Sequence, residues 1–303
     1  MKLRFWGTRG SIPTPGPGTV RYGGNTSCIE VRSEAGTLLI LEGGSGLYRL
    51  GRHLMEHEPR PIQGYILLSH THWDHIQGLP FFGPAYEEGN RFQLMAPRDP
   101  ETPLQKIIAG AMSFENPPYS LDRILPQVEF QPLDEGVYQL GDIKVTAQFV
   151  NHTAICMGYR LEADGRVLTY CSDVEPSARR FLRSDSGDLG EVRRDPSGKV
   201  QAILHREDAR LVALAQGAHV YIQDAQYTPE EYQSHRGWGH SPCDFATDVA
   251  LAAEVGRFVL FHHDPAHTDE FIDRMVESCR RRAARFDGAP EILAAAEGLE
   301  LVV

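Results

Sequence analysis

The sequence predicts an α/β protein built as a four-layer αββα sandwich, two packed β-sheets with helices on both outer faces. Three observations carry this. Strand-like runs come in two batches along the 303 residues, each accompanied by helical stretches. GYILLS (64–69) and RFVLFH (257–262) are continuously apolar over strand length, the pattern of strands buried on both faces. Composition is ordinary for a globular chain, 41% hydrophobic and 23% charged, which excludes a disordered, collagenous or disulfide-scaffold protein. The chain reads as one domain, 1–303, with insertions at about 80–126 and 179–204.

Lys2 to Trp6 opens as a strand. Residues 7 to 24 hold six glycines and three prolines and read as a loop. SCIEVRS (27–33) and TLLILE (37–42), separated by Ala35-Gly36, read as a hairpin. Leu50 to Glu58 follows as a short helix, then the buried strand 64–69. Residues 80 to 126 are proline-rich and read as an irregular cap, with one helix near Leu104 to Met112. VYQL (137–140), IKVTAQFVN (143–151), ICMGYRLE (155–162) and RVLTYCSD (166–173) form a β-rich block, with Asp164-Gly165 as the turn of its last hairpin. The charged stretch 179–204 reads as a surface excursion. Beyond it, HREDARLVALAQG (205–217) is helical and stops at Gly217. AHVYIQDA (218–225) is a strand. Ser241-Pro242 caps a helix that runs to Gly256, and RFVLFH follows as a strand. Thr268 caps a last helix with Asp269 and Glu270 in its first turn, Arg280 to Arg282 near its end and Gly288 as its stop. LELVV closes the chain as a strand.

Charge and cysteine content narrow the function. Lys plus Arg is 30 against 41 Asp plus Glu, a net charge of −11, which disfavours a long nucleic acid gripped by its backbone. No run reaches the ~18 apolar residues of a membrane helix. Arg9 arrives before any apolar leader segment forms, so no secretory signal is expected. The five scattered cysteines form no disulfide framework and fit a cytoplasmic protein.

The segment SHTHWDHIQG (69–78) carries the chemistry. His70, His72, Asp74 and His75 fall within six residues directly after a buried strand, where loops present functional groups. Imidazoles and carboxylates together suit zinc, manganese or iron(II). Further ligand types stand where other strands run out: His152, Asp173 and His262, with His263 adjacent.

His-x-His-x-Asp-His, then a strand-end His, a strand-end Asp and a final strand-end His, resembles the metallo-β-lactamase superfamily. IQDAQYT (222–228), WGHS (238–241) and FHHD (261–264) resemble its ribonuclease Z and cyclic-nucleotide phosphodiesterase branch, which has a Gly-His-Ser at a helix start. The resemblance implies a metallo-β-lactamase fold with a cap and two divalent cations, zinc, with manganese as the alternative. It implies that His70, His72 and His152 hold one cation, that Asp74, His75 and His262 hold the other, and that Asp173 bridges them. Asp74 also orients the attacking hydroxide, and His240, partnered by Asp224, protonates the leaving oxygen. The implied reaction is metal-dependent hydrolysis of a phosphodiester, and the implied assembly is a homodimer. This sequence departs from the pattern in Glu42, where Asp is usual, and in Asp224, where ribonuclease Z has Glu.

A small phosphodiester, foremost a 3′,5′-cyclic nucleotide, is the expected substrate. Ribonuclease Z grips tRNA with an arm placed between the His and Asp that correspond to His152 and Asp173. Here a hairpin fills that interval. The alternatives are an RNA-processing nuclease of ribonuclease Z type, a silent metal-binding sensor on the same scaffold, and a hydrolase of carbonyl esters. Met112, Phe114, Pro118 and Tyr119 are candidate linings for a nucleobase pocket, with plain packing as the other reading. Arg9 and Asn25 are candidates for phosphate contact, with a structural role in the loop favoured. GTRGSIPTPGPG lacks the Gly-Lys-Ser/Thr ending of a P-loop.

Overall fold

Each of the two main sheets is half antiparallel and half parallel. The computed structural model describes residues 1–112, 121–177, 192–194, 200–202 and 206–303. The first half of the chain supplies β1 (Lys2–Gly7), β2 (Cys28–Arg32), β3 (Leu38–Leu41), β4 (Gln63–Leu67), β5 (Arg91–Pro97) and β6 (Val128–Leu133). The rest of the chain supplies β7 (Gly136–Leu140), β8 (Ile143–Val150), β9 (Cys156–Ala163), β10 (Arg166–Cys171), the short pair β11 (Val192–Arg194) and β12 (Val200–Ala202), then β13 (Val220–Asp224), β14 (Arg257–Phe261), β15 (Glu291–Ala294) and β16 (Glu300–Val302). The sheets run β16-β1-β2-β3-β4-β5-β6 and β15-β14-β13-β10-β9-β8-β7. Sequential strands make most of the antiparallel halves, and β16 adds to β1 from the far end of the chain. Helical crossovers bring β13 and β14 in beside β10, all parallel.

The layer order follows from side-chain alternation. Leu39 and Leu41 of β3 face the second sheet and meet Met157, Tyr159 and Ile222 in the central core. Leu38 and Ile40, on the other face, pack with Leu47, Leu50 and Leu54 of the helix Gly46–His57. The same holds across the molecule. Ile222 and Val259 point inward, while Tyr221, Phe258 and Leu260 meet Leu211, Phe245, Val249, Ile272 and Met275 from three outer helices. Strands buried on both faces therefore read as unbroken apolar runs, as 64–69 and 257–262 do.

Four expectations are corrected. The 80–126 stretch is not an irregular cap: Arg91–Pro97 is an interior strand, parallel to β4 and β6. The first helix starts earlier, at Gly46, a glycine packed so closely on the Trp6 backbone that a Cβ would lie 2.6 Å from Trp6 C. Ser241 does not cap its helix. Pro242 holds that position, and the Ser241 hydroxyl donates to the Val174 carbonyl. The last helix, Asp269–Ala283, ends before Gly288, which turns the chain toward β15. Thr268 does cap it, accepting from Phe271 N–H. Most of the 179–204 stretch, with Phe114, Pro118 and Tyr119, lies outside the described residues. Met112 is buried in the outer core of the first sheet.

Candidate metal centre

The ends of β4, β8, β10, β13 and β14 deliver their following residues to one place. His70 comes three residues after β4, His152 two after β8, Asp173 two after β10, and His262 directly after β14, while Asp224 ends β13. His72, Asp74 and His75 arrive on the one-turn helix Trp73–Ile76 and the residue before it. All seven expected ligands converge. One cluster holds His70, His72, His152 and Asp173; the next holds Asp74, His75 and His262.

Asp173 reaches both. Its Oδ2 lies 3.6 Å from His70 Nε2 and 3.8 Å from His152 Nε2. Its Oδ1 lies 3.2 Å from His75 Nε2 and 3.4 Å from His262 Nε2. His72 Nδ1 and His152 Nε2 are 3.2 Å apart, and Asp74 Oδ2 is 3.1 Å from His262 Nε2. Ligand atoms held tetrahedrally at ~2.0–2.1 Å from a cation stand about 3.4 Å apart, so this spacing fits a divalent ion in each cluster. Buried His70 Nε2, His75 Nε2 and Asp173 Oδ1 have no hydrogen-bond partner among the described residues, as atoms reserved for a cation would.

Electrostatics agree with most of that donor set; at His75 burial lowers the imidazole, but Asp74, Asp173 and Glu42 outweigh it and raise it well above its ordinary value. Burial pushes the His70 imidazole well down and that of His152 to about 4, so both are neutral near pH 7. Burial raises the Asp74 and Asp173 carboxyls, but neighbouring imidazoles outweigh it and keep both below the usual carboxylate range. Neutral imidazoles and ionised carboxylates are the forms that bind divalent cations.

Supporting groups fix the rings. Glu42, fully buried, accepts from Ser69 N–H with Oε1 and lies 3.1 Å from His75 Nδ1 with Oε2, turning His75 Nε2 into the cluster. The Glu-for-Asp departure therefore keeps the supporting contact. His152 Nδ1 meets the Gly239 carbonyl at 2.8 Å, and His262 Nδ1 meets Gln226 Oε1 at 2.9 Å. Ser11 N–H donates to Asp74 Oδ2. Ser11, Glu42 and His262 are non-glycine residues with φ of 62°, 69° and 58°, and all three touch the centre. The other two such residues among the described ones, Asp164 and Glu254, lie in turns, so three of five positive-φ positions serve the centre.

His240 stands at the edge of the centre. Its Nδ1 lies 3.0 Å from Asp224 Oδ2, and its ring stacks on His262 at 4.9 Å. Asp224 is itself fixed, accepting from the N–H groups of Val174, Gln226 and Ser241. Aspartate reaches the imidazole directly, without the extra methylene of glutamate. Burial lowers the His240 imidazole, but Asp224, then Asp173 and Asp74, outweigh it and hold it at about 9. An imidazole held this way by a carboxylate keeps one ring nitrogen, Nε2, free to exchange a proton.

Other candidates fall away. His263 Nε2 faces the Ala295 carbonyl, so the adjacent pair resolves to His262 in the cluster. The fully buried Arg9 donates to the carbonyls of Gly23, Asp264 and His267, and Asn25 bonds Glu297; both hold the first loop. Sequence reasoning missed Gln226, the Gly239 carbonyl and Glu175, whose buried carboxylate accepts from Gly237 and Gly239 N–H. The only local signal was their nearness in sequence to Asp224, His240 and Asp173.

Comparison with known proteins agrees with this arrangement. The Beta-lactamase superfamily domain matches residues 46–185, which include six of the seven clustered residues. A ribonuclease Z of Anoxybacillus flavithermus is 26% identical, covering 92% of this chain and 92% of its own. Zn(2+)-bound PqqB from Methylobacterium extorquens superposes with a TM-score of 0.66 at 18% identity, covering 100% of both chains. The short form of human tRNase Z gives 0.62 at 18% identity, over 100% of this chain and 99% of that one. At such identities the two structures share the fold alone. Fold, the match over residues 46–185 and the relatives together give this chain a likeness to the beta-lactamase superfamily, on its ribonuclease Z-like side, and mark it as a metal-dependent hydrolase.

Proposed function

We propose that this chain hydrolyses a phosphodiester, with His240 protonating the leaving oxygen. The observation that carries this reading is the Asp224–His240 pair at 3.0 Å, set against the two-cluster centre. Divalent cations bound there, zinc or manganese, would stabilise the attacking and leaving oxygens of an in-line displacement and lower the pKa of a water. The residues of the chain do the rest. Asp74 accepts from Ser11 N–H with Oδ2 and orients the nucleophile. Asp224 holds His240 by Nδ1, so that Nε2 serves the departing alkoxide. The five cysteines are buried and unpaired, which supports a cytoplasmic setting.

Two classes of phosphodiester compete. Relatives named ribonuclease Z, matched over most of the chain, support RNA better than any finding supports a cyclic nucleotide. Two local features favour the small substrate as a second reading. The net charge is −11. The β9–β10 hairpin closes through Asp164 and Gly165, leaving no room for an RNA-gripping arm between His152 and Asp173. Among the described residues no helix is long and apolar enough to cross a membrane.

A panel of cyclic mononucleotides, cyclic dinucleotides and short RNAs, assayed with Zn and with Mn, decides the class. The His240 role is tested by leaving group. His240→Ala is expected to cost roughly 10²–10⁴-fold on a substrate that leaves as a ribose alkoxide, and much less on bis-p-nitrophenyl phosphate, whose leaving group needs no proton. Asp224→Asn follows the same pattern more mildly. Equal losses on both substrates, with metal content unchanged, would show that His240 does not act on the leaving group.

A further inference from the structure

Trp238 shows solvent a large apolar ring from a tightly built loop. Its side chain is 62% exposed. The loop beneath it is clamped on both sides by one buried carboxylate: Glu175 accepts from Gly237 N–H, from Gly239 N–H at 3.1 Å and from the Tyr232 hydroxyl at 3.0 Å. Gly237 and Gly239 take φ of 85° and 93°, so the residue between them has a fixed direction. The indole sits edge-on to His235 at 4.7 Å, and His235 stacks on Tyr227 at 4.6 Å. A bonded network of this kind around an exposed indole is not what surface solvation alone requires.

The position lies next to the chemistry along the chain. Gly239, the next residue, holds His152 by its carbonyl, and the residue after that is His240. A second indole, Trp73, is 51% exposed and lies between His72 and Asp74. His72 and His152 are 3.2 Å apart at their ring nitrogens, so the two exposed indoles belong to segments that meet at one corner of the centre. With a net charge of −11, the chain is poorly suited to grip an extended phosphate backbone, so uncharged contacts beyond the scissile phosphate matter more. Exposed indoles on the segments that carry His72 and His240 offer the flat surface on which any base stacks.

We propose that Trp238 is a stacking platform for a nucleobase of the substrate and sets the preference of the site for nucleotides over other phosphodiesters. This rests on the phosphodiesterase reading. Trp238 touches the base and takes no part in proton transfer.

The metal-loaded protein is assayed on a 3′,5′-cyclic mononucleotide, a short single-stranded RNA, and the counterpart of each that lacks the base beside the scissile phosphate. The readout is the ratio of kcat/KM with and without the base. In Trp238→Ala this ratio is expected to fall about 5- to 150-fold, through KM, with kcat little changed. Trp238→Phe is expected to keep most of it. The substrate pair that shows the fall tells whether the base belongs to a cyclic nucleotide or to an RNA strand. An unchanged ratio in Trp238→Ala overturns the platform, and so does an equal loss in both variants, which marks a role in holding the loop. If no phosphodiester is turned over, the phosphodiesterase reading falls, and binding decides the platform separately. Indole fluorescence of Trp73→Phe protein is then titrated with adenosine 5′-monophosphate and with ribose 5-phosphate. Quenching by the nucleotide alone supports stacking; no difference between the two overturns it.

Discussion

Glu42 decides which nitrogen His75 presents. With Oε2 at 3.1 Å from Nδ1, it leaves Nε2 facing Asp74 and Asp173. Removing such a partner from a ligating histidine typically costs 10–100-fold in metal affinity, so Glu42→Ala should weaken binding by about that factor in a chelator competition. Glu42→Gln, which keeps an acceptor at the same place, should lose less. At this scale the sequence was most legible for ligands and least for their supports. His70, His72, Asp74 and His75 announce themselves by crowding six positions after a buried strand. Gln226 does not, because its contact with His262 spans 36 residues and exists only in the fold.

Loops that fix a ring are the next scale, and the segment 235–241 is the clearest. Gly239 has φ of 93°, and a Cβ there would stand 2.4 Å from His152 Nδ1. Gly239→Ala therefore meets a backbone cost of about 1–2 kcal/mol for the left-handed conformation and also pushes His152 out of place. The expected result is lost metal and lost activity with a modest fall in Tm, read by elemental analysis and thermal unfolding. Unchanged metal content would show that His152 does not depend on this loop. Elements were legible wherever apolar periodicity was uninterrupted. They were missed where proline or shortness masked it. RFQLMAP ends in Pro97 amid proline-rich neighbours, yet forms interior strand β5. Val128–Leu133 contains Pro132, tolerated because β6 lies at the edge of its sheet. β15, of four residues, is too short to show a period.

Two sheets of mirrored construction bring the clusters together. The first sheet carries His70, His72, Asp74 and His75 beyond β4, and the second carries His152, Asp173 and His262 beyond β8, β10 and β14. The centre therefore exists only when the central core between them is formed, and metal should raise the unfolding temperature of the whole chain. The overall charge bears on substrate. A small phosphodiester makes one or two phosphate contacts, so its kcat/KM should fall only weakly between ~50 and ~200 mM salt. An RNA held through 6–10 phosphates would lose about 10³–10⁵ in affinity over that range. A steep salt dependence with RNA outcompeting cyclic nucleotides is the signature of the ribonuclease reading. The most direct test of the centre itself is the metal content of protein purified without chelator. Seven converging donors with Asp173 shared between two clusters predict about two divalent ions per folded, active chain. A reproducible value of about one in fully active protein would contradict the account.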